Sequence, residues 1–431
     1  MTRETFLDDA YRPRTVDLDL DELFGQLPAV LLDGAKGVGK TRTALQRAAT
    51  VRRLDDPRER SIVEADPNVA VLGDQPVLID EWQRAPSSWD AVKRAVDADP
   101  RGGQFLLTGS APAAGEPVHS GAGRITTLRM RPMTLPERRI STPTVRLSSL
   151  LSGENIDIGG RCDLDLAGYT DEILSSGLPG MRGLTGRALW LQLDGYIERI
   201  VDREMPEAGL SARRPASVRN WLRAYAAATA TTATWETVRD AATPGSGDKP
   251  AKSTTAPYID TLTTLRVLDE QPAWEPGHNH LRRLTRGAKH HLVDPALAAR
   301  LVGVGRNQLL RGEAGDVAVP RDGTFLGGLF ESLAVLTIRV FAQAADASVF
   351  HLRDFDGRHE IDLIVERGDG RILALEVKLS STLHANDFKN LRWLRDRIGD
   401  QMIGGAVLTT GPEAYRREDG FAVLPLGLLG P

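Results

Sequence analysis

The first third of the chain alternates short apolar runs with helical stretches. Ala29–Asp33 (AVLLD), Pro76–Asp80 (PVLID) and Gln104–Thr108 (QFLLT) are short and nearly free of polar interruption. Runs of that kind fit strands buried on both faces. Helical segments lie between them, the first read as Thr41–Leu54 after a glycine loop. This alternation predicts an α/β domain, a parallel sheet with helices on its faces. Residues Ser141–Gly160 are rich in Ser, Thr and Gly and lose all periodicity, so a linker is expected there. From Arg161 to Arg300 the pattern is mostly helical, clearest at Gly186–Arg203 and Ala216–Ala228, with a turn-rich break at Ala241–Lys252. Beyond Leu301 the pattern mixes again. A helix is predicted near Leu326–Ala342, strands near Ile361–Val365 and Ile372–Val377, a helix near Ala385–Ile398 and a strand at Ala406–Thr409. The expected organisation is an N-terminal α/β domain over 1–145, a helical middle region over 161–300 and a C-terminal α/β domain over 301–431.

Composition narrows the class. The 431 residues are 41% hydrophobic and 26% charged, ordinary for a globular chain and unlike a disordered one. The single cysteine, Cys162, excludes an intrachain disulfide framework and a multi-cysteine zinc site. The N-terminus lacks an apolar core of the signal-peptide type. The apolar region Phe325–Ala345 is interrupted by Glu331 and Arg339 and is not read as a membrane span. A cytoplasmic protein with no membrane contact is expected. Of 54 cationic residues only eight are lysines, so each lysine is worth locating.

Two lysines fall in the two strongest motifs. Gly34-Ala35-Lys36-Gly37-Val38-Gly39-Lys40-Thr41 matches GxxxxGK[ST] and lies between an apolar strand and a helix. Glycines there let backbone N–H groups converge on phosphate oxygens, and the helix N-terminus adds positive potential. Lys40 is expected to bridge the β- and γ-phosphates of ATP, and the Thr41 hydroxyl to bind Mg²⁺. Val77-Leu78-Ile79-Asp80-Glu81 supplies the second part: Asp80 to hold Mg²⁺ through water, Glu81 to polarise the attacking water. Thr108 or Ser110, at the end of a neighbouring strand, is a candidate γ-phosphate sensor. Arg124, after a glycine loop, is a candidate arginine finger; a plain surface arginine is the competing reading.

Lys378 belongs to the second motif. His359-Glu-Ile-Asp362-Leu-Ile-Val-Glu precedes a glycine turn, then Ile372-Leu-Ala-Leu-Glu376-Val-Lys378. Read as a hairpin, Glu376 and Lys378 share one face, and Asp362 can meet them from the partner strand. Asp362 and Glu376 suit Mg²⁺ and Lys378 suits a scissile phosphate or its attacking water. Glu331 on the preceding helix could add a ligand. A structural remnant without cleavage is the competing reading.

The segment Ser211–His291 carries 12 Lys+Arg against 7 Asp+Glu in a chain of net charge −4. Such a local excess suits a phosphate backbone. Ser253–Leu262 reads as a helix with Ile259 and Leu262 inward and Lys252, Thr255 and Tyr258 outward. Leu268–Leu284 could form a β-wing carrying Arg282 and Arg283, so the region resembles a winged helix.

With these residues laid out, the chain resembles the bacterial and archaeal AAA-type ATP-binding proteins that carry a C-terminal domain of unknown function. The resemblance rests on Tyr11-Arg-Pro-Arg14, GAKGVGKT, LIDEWQ (Leu78–Gln83), LLTGS (Leu106–Ser110), GAGR ending at Arg124, RPMTLPER (Arg131–Arg138), SSGLPG (Ser175–Gly180), HLVDPAL (His291–Leu297), HEIDLIV and LEVK. It implies a P-loop ATPase with nucleotide-binding roles for Gly39, Lys40, Thr41, Asp80 and Glu81. It also implies a C-terminal domain similar to the restriction-endonuclease superfamily, with nuclease-type positions at Asp362, Glu376 and Lys378. The chain departs from that pattern in lacking a clear second sensor arginine in the helical lid region. Three functions stay open: an ATPase that engages and cuts nucleic acid, DNA more than RNA; a nucleotide-switched DNA- or protein-binding regulator without cleavage; and a chaperone-like ATPase acting on a cognate protein, as in a defence or toxin–antitoxin setting. Oligomerisation is compatible with each.

Overall fold

A computed structural model describes residues 11–109, 121–154, 156–210, 214–243, 252–275, 287–311, 322–354 and 357–431. The N-terminal part builds a five-stranded parallel sheet. Its strands are β1 (Ala29–Asp33), β2 (Thr50–Arg53), β3 (Val77–Asp80), β4 (Phe105–Gly109) and β5 (Ile125–Arg129), in the order β2-β3-β4-β1-β5. The helices are α1 (Val16–Leu23), α2 (Lys40–Leu45), α3 (Pro57–Ala65) and α4 (Ser87–Ala98). Both faces of the sheet are covered, which is why its strands read as unbroken apolar runs: Val30, Leu32 and Leu78 join one core, and Ala29, Val77 and Ile79 another. The helix expected over Thr41–Leu54 stops at Leu45, because Thr50–Arg53 is claimed by the sheet edge.

The expected linker is ordered. Val145–Arg146 (β6) and Leu147–Ser152 (α5) pack onto the C-terminal part, and β6 pairs with the last strand of the chain. Leu147, Leu150 and Leu151 form an i, i+3, i+4 stripe that the Ser-rich composition obscured, and all three are buried. The boundary at 145 therefore cuts through a packed element.

The middle region is helical as expected: α6 (Leu166–Leu174), α7 (Gly186–Arg199), α8 (Met205–Glu207), α9 (Pro215–Ala227), α10 (Trp235–Ala241), α11 (Lys252–Thr264), α12 (Pro295–Val302) and α13 (Arg306–Arg311). Between α11 and α12, Leu268 bridges Leu292 and Gln271 bridges Lys289, antiparallel. Thr255 and Tyr258, expected outward on α11, are buried with Leu262 and Leu265 at three- and four-residue spacing. The two polar residues thus complete the packed stripe. Arg282 and Arg283 lie outside the described residues.

The C-terminal part packs α14 (Asp322–Gln343) against a mixed sheet. Its strands are β7 (Ser348–Arg353), β8 (Glu360–Glu366), β9 (Ile372–Lys378), β10 (Met402–Thr409), β11 (Tyr415–Arg416) and β12 (Ala422–Pro425), in the order β11-β12-β10-β9-β8-β7. Helix α15 (Lys389–Ile398) covers the other face, and β13 (Leu429–Gly430) returns to β6. Within α14, Phe325–Gln343 is long and apolar enough to cross a bilayer, but 78% of its most apolar window is buried inside this fold. Its hydrophobicity is spent on the sheet and on helices α5, α6, α12 and α13.

Candidate functional site

The glycine loop is built from its backbone outward. Gly37 and Gly39 hold left-handed φ values of 79° and 106°, open to glycine at little cost. At Gly34 a Cβ would lie 2.1 Å from the Met130 carbonyl oxygen, so only glycine fits. Ala35 and Val38 are buried in the core beneath. Arg14 clamps the loop from outside, donating to the carbonyls of Val38 and Arg131, both at 2.7 Å. Lys36 is tied to Glu204 of the middle region at 2.5 Å, so its side chain is turned away to an ion pair.

Lys40 Nζ donates to the carbonyls of Gly34 and Ala35, at 2.7 and 3.0 Å. Burial pushes its pKa down to about 8, against the opposing pull of Glu81, Asp33 and Asp80. Thr41 Oγ1 donates to Asp80 Oδ1 at 2.7 Å, and Thr108 Oγ1 donates to the same oxygen. Three residues from three elements thus meet at one atom. Glu81 sits at φ 57°, a strained position for a non-glycine residue, and its carboxylate accepts from Gln83 at 2.6 Å. The donor set at Thr41 and Asp80 is hard oxygen on a buried strand end, which fits Mg²⁺ carried in with a nucleotide. A cavity of about 440 Å³ opens beside Gly39, lined by Tyr11, Arg14, Thr43, Pro179 and Arg182. Ser110 lies outside the described residues. Arg124 is bound to Asp97 on α4 at 2.6 Å, both side chains largely exposed.

A belt of charge leaves this site towards the C-terminal part. Asp33, at the end of β1, meets Arg129 at 3.3 Å and Arg266 at 2.8 Å. Asp269 meets Arg131 at 2.8 Å, Arg339 at 3.0 Å and Arg129 at 3.9 Å. Burial alone would raise the Asp269 carboxyl, but the three guanidiniums hold it well below the usual carboxylate range. Burial pushes Arg129 down to about 10. Of the basic residues read over Ser211–His291, Arg266 is thus paired within the protein, with Asp33.

The second motif also assembles. Leu363 pairs with Leu375, which sets Asp362 opposite Glu376 across β8 and β9. Lys378 Nζ donates to Glu376 at 3.2 Å, Asn390 donates to the other Glu376 oxygen at 3.2 Å, and the Val377 N–H donates to Asp362 at 2.9 Å. Glu331, Asp362 and Lys378 line a cleft of about 310 Å³ that also touches Thr229–Thr231 of the middle region. One residue there is unforeseen. Lys289, 1% exposed, reaches in from the middle region and contacts Glu331 and Glu360 at 2.7 Å and Asp362 at 3.0 Å. Burial would lower its pKa, but Asp362, Glu331 and Glu360 outweigh that and hold it well above the usual value. Burial, with repulsion from Asp362, pushes Glu331 and Glu376 each up to about 8. Among the described residues no group of three or more His, Cys, Asp or Glu side chains is arranged to hold a metal ion. The expected Mg²⁺ ligands Glu331, Asp362 and Glu376 do not fit that ion as they stand, because an ammonium lies among two of them. The signal for Lys289 was present in the sequence: it is one of eight lysines in a chain that otherwise uses arginine.

Comparison with known proteins bears on the N-terminal α/β region and assigns no activity to the C-terminal part. Residues 26–138 match a family model described as an AAA domain. Residues 168–308 and 326–429 match two domains of unknown function, DUF8612 and DUF4143. The N-terminal α/β region is thus similar to P-loop ATPases in sequence as well as in sheet architecture. Among solved structures the chain is similar to the Walker-type ATPase PABY2304 of Pyrococcus abyssi, at 16% identity and a TM-score of 0.42, over 68% of this chain and 96% of that one. No curated protein matches the chain.

Proposed function

We propose that the chain is a Mg²⁺-dependent ATPase whose nucleotide state biases how its middle and C-terminal regions engage a nucleic acid, DNA before RNA, or a protein partner. The observation that carries the ATPase reading is the meeting of Thr41 and Thr108 at Asp80 Oδ1, beside the buried Lys40. The N–H groups of Gly37 to Thr41 would cradle the β- and γ-phosphates, with Lys40 turning from the Gly34 and Ala35 carbonyls to the phosphate oxygens. Thr41 and Asp80 would hold Mg²⁺, which supplies charge neutralisation on those phosphates. Glu81 would orient the attacking water, and Thr108 would report the γ-phosphate through Asp80. The cavity at Tyr11, Arg14 and Pro179 suits the nucleoside end of ATP. The charge belt from Asp33 to Asp269 is the physical connection proposed for transmission.

The test is phosphate release from ATP by the full-length protein and by Lys40→Ala, alone and with single-stranded DNA, duplex DNA or RNA. Turnover lost in the variant is expected. Unchanged turnover would sink the assignment, and turnover indifferent to every nucleic acid would move the partner to protein. Substituting Arg282 and Arg283 together should weaken DNA binding and flatten its salt dependence.

A second reading, metal-dependent cleavage of nucleic acid by the C-terminal part, would require Lys289 to leave the carboxylates first, and one observation favours it. Asp362 and Lys378 line a cleft, and Lys378 is hydrogen-bonded to Glu376. Cleavage of DNA with Mg²⁺ or Mn²⁺, lost in Lys378→Ala, is its test.

A further inference from the structure

We propose that Lys289 is the resident cation of the C-terminal carboxylate cluster, and that this chain keeps a divalent metal out of that cluster while the segment carrying Lys289 is docked. The inference bears only on the C-terminal part and is independent of ATP turnover at the glycine loop.

The geometry is that of a coordinated cation. An ammonium has three N–H donors and no acceptor. Lys289 Nζ has three carboxylate partners, one each from α14 (Glu331) and two positions of β8 (Glu360 and Asp362), at 2.7, 2.7 and 3.0 Å. Every donor is thus matched, in a side chain that is 1% exposed. A Mg²⁺ ion needs carboxylate oxygens at about 2.0–2.1 Å and several waters around it. Neither fits where the Nζ atom already lies against the same oxygens. Both Asp362 oxygens are already engaged, Oδ1 accepting from Lys289 and Oδ2 from the Val377 N–H.

The position of the lysine is enforced from outside the cluster. Lys289 exchanges both backbone hydrogen bonds with Gln271, N to O in each direction at 2.9 Å. Gln271 is itself buried, and its Nε2 donates to the carbonyls of Phe350 and Asp362 at 2.9 and 2.8 Å. Trp274 and His351 exchange further bonds along the β7 edge, with the Trp274 N–H donating to the His351 carbonyl and the His351 N–H to the Pro272 carbonyl. The base of the wing expected over Leu268–Leu284 therefore lies against the β7 edge, through a parallel bridge from Ala273 to His351, and Lys289 sits on the segment bridged to Gln271. Closure of the cluster is a property of docking between the two regions, not of the C-terminal part alone.

The experiment measures Mn²⁺ uptake by nucleotide-free full-length protein, by equilibrium dialysis and by loss of the free-ion electron paramagnetic resonance signal. Wild type and Asp362→Asn should take up the same small amount. Lys289→Met should gain about one equivalent, and the gain should vanish in Lys289→Met/Asp362→Asn. Thermal midpoints give a second readout: Mn²⁺ should leave wild type unmoved and raise Lys289→Met by several degrees, since a ligand that binds only the folded state stabilises it. If wild type binds an equivalent that Asp362→Asn loses, the proposal is overturned. A folded Lys289→Met that binds none overturns it equally. Should Lys289→Met fail to fold, wild type against Asp362→Asn decides the matter. Phosphate release from ATP by the same preparations reports separately on the glycine loop, so failure of one reading is not mistaken for failure of the other.

Discussion

Thr41 and Asp80 are joined by a 2.7 Å hydrogen bond from the threonine hydroxyl to Oδ1. The bond ties the first turn of α2 to the end of β3, and Thr108 of β4 closes the same oxygen from the other side. Both Thr41 and Asp80 are oxygen donors of the kind Mg²⁺ prefers, so the pair is arranged before any ion arrives. Asp80→Asn keeps the shape and removes the charge. It should weaken Mg²⁺ affinity in the presence of ATP by about 10–100-fold, moving the Mg²⁺ midpoint up. Fluorescent-nucleotide binding titrated with Mg²⁺ checks it. The nucleotide-free protein should lose little stability, on the order of 1 kcal/mol for one altered hydrogen bond. A variant with an unchanged Mg²⁺ midpoint would place the ion elsewhere.

Lys40 gives the glycine loop a pH signature. Its ammonium is buried against the Gly34 and Ala35 carbonyls, and burial lowers its pKa from 10.5 to about 8. Between those values the unfolded chain holds a proton that the folded chain has shed. Stability contributed by this group therefore rises with pH across that window, and below pH 8 the buried charge is a cost. A polyphosphate bound at the loop would restore the charged form. ATP binding at pH 8.5 should then take up a proton, and affinity should fall as pH climbs from 8 towards 10. Calorimetry in two buffers of different ionisation enthalpy reads the uptake. Lys40→Met should show none.

Arg124 and Arg129 separate a possible trans role from a structural one. Arg124 makes an exposed pair with Asp97, worth at most about 1 kcal/mol. Arg124→Ala should leave the melting temperature nearly unchanged. If Arg124 is a finger for a neighbouring copy, turnover should fall by about 10³-fold or more. Mixing with Lys40→Ala, which keeps Arg124, should then restore part of it. Full turnover in Arg124→Ala returns the residue to the surface. Arg129 behaves differently, because it is 16% exposed and placed between Asp33 and Asp269. Arg129→Met should cost stability whatever the oligomeric state.

The glycine loop was legible because its chemistry is local. Eight contiguous residues fix the backbone, and the strands around them are buried on both faces, so they read as plain apolar runs. The Asp362–Glu376 pair was legible for the same reason, being set by one hairpin. What escaped was long-range. Lys289 lies 42 residues before Glu331 and 73 before Asp362, and no local spacing announces their contact. The Leu147–Leu151 stripe was hidden by serines, and Thr255 and Tyr258 by polarity that packing overrode. The arginine belt is invisible in a chain where arginine is everywhere.

That belt makes the last prediction. Asp269 is 14% exposed and faces Arg131, Arg339 and, more distantly, Arg129. It also donates its backbone N–H to the His291 carbonyl, two residues from Lys289. Burial raises its pKa, the guanidiniums outweigh burial, and the net shift is well below the ordinary value. A depressed carboxyl contributes stability that is present above its unfolded pKa and lost as pH falls through its folded one. Asp269→Asn leaves two close guanidiniums buried without their counter-charge, so it should cost about 3–5 kcal/mol at pH 7. The deficit should shrink on acidification, because wild type loses what the variant never had. Urea midpoints of both proteins at pH 7 and at pH 4 and below give the comparison. A deficit that stays constant down to the acid limb would mean that packing, and not charge, holds the P-loop part to the wing.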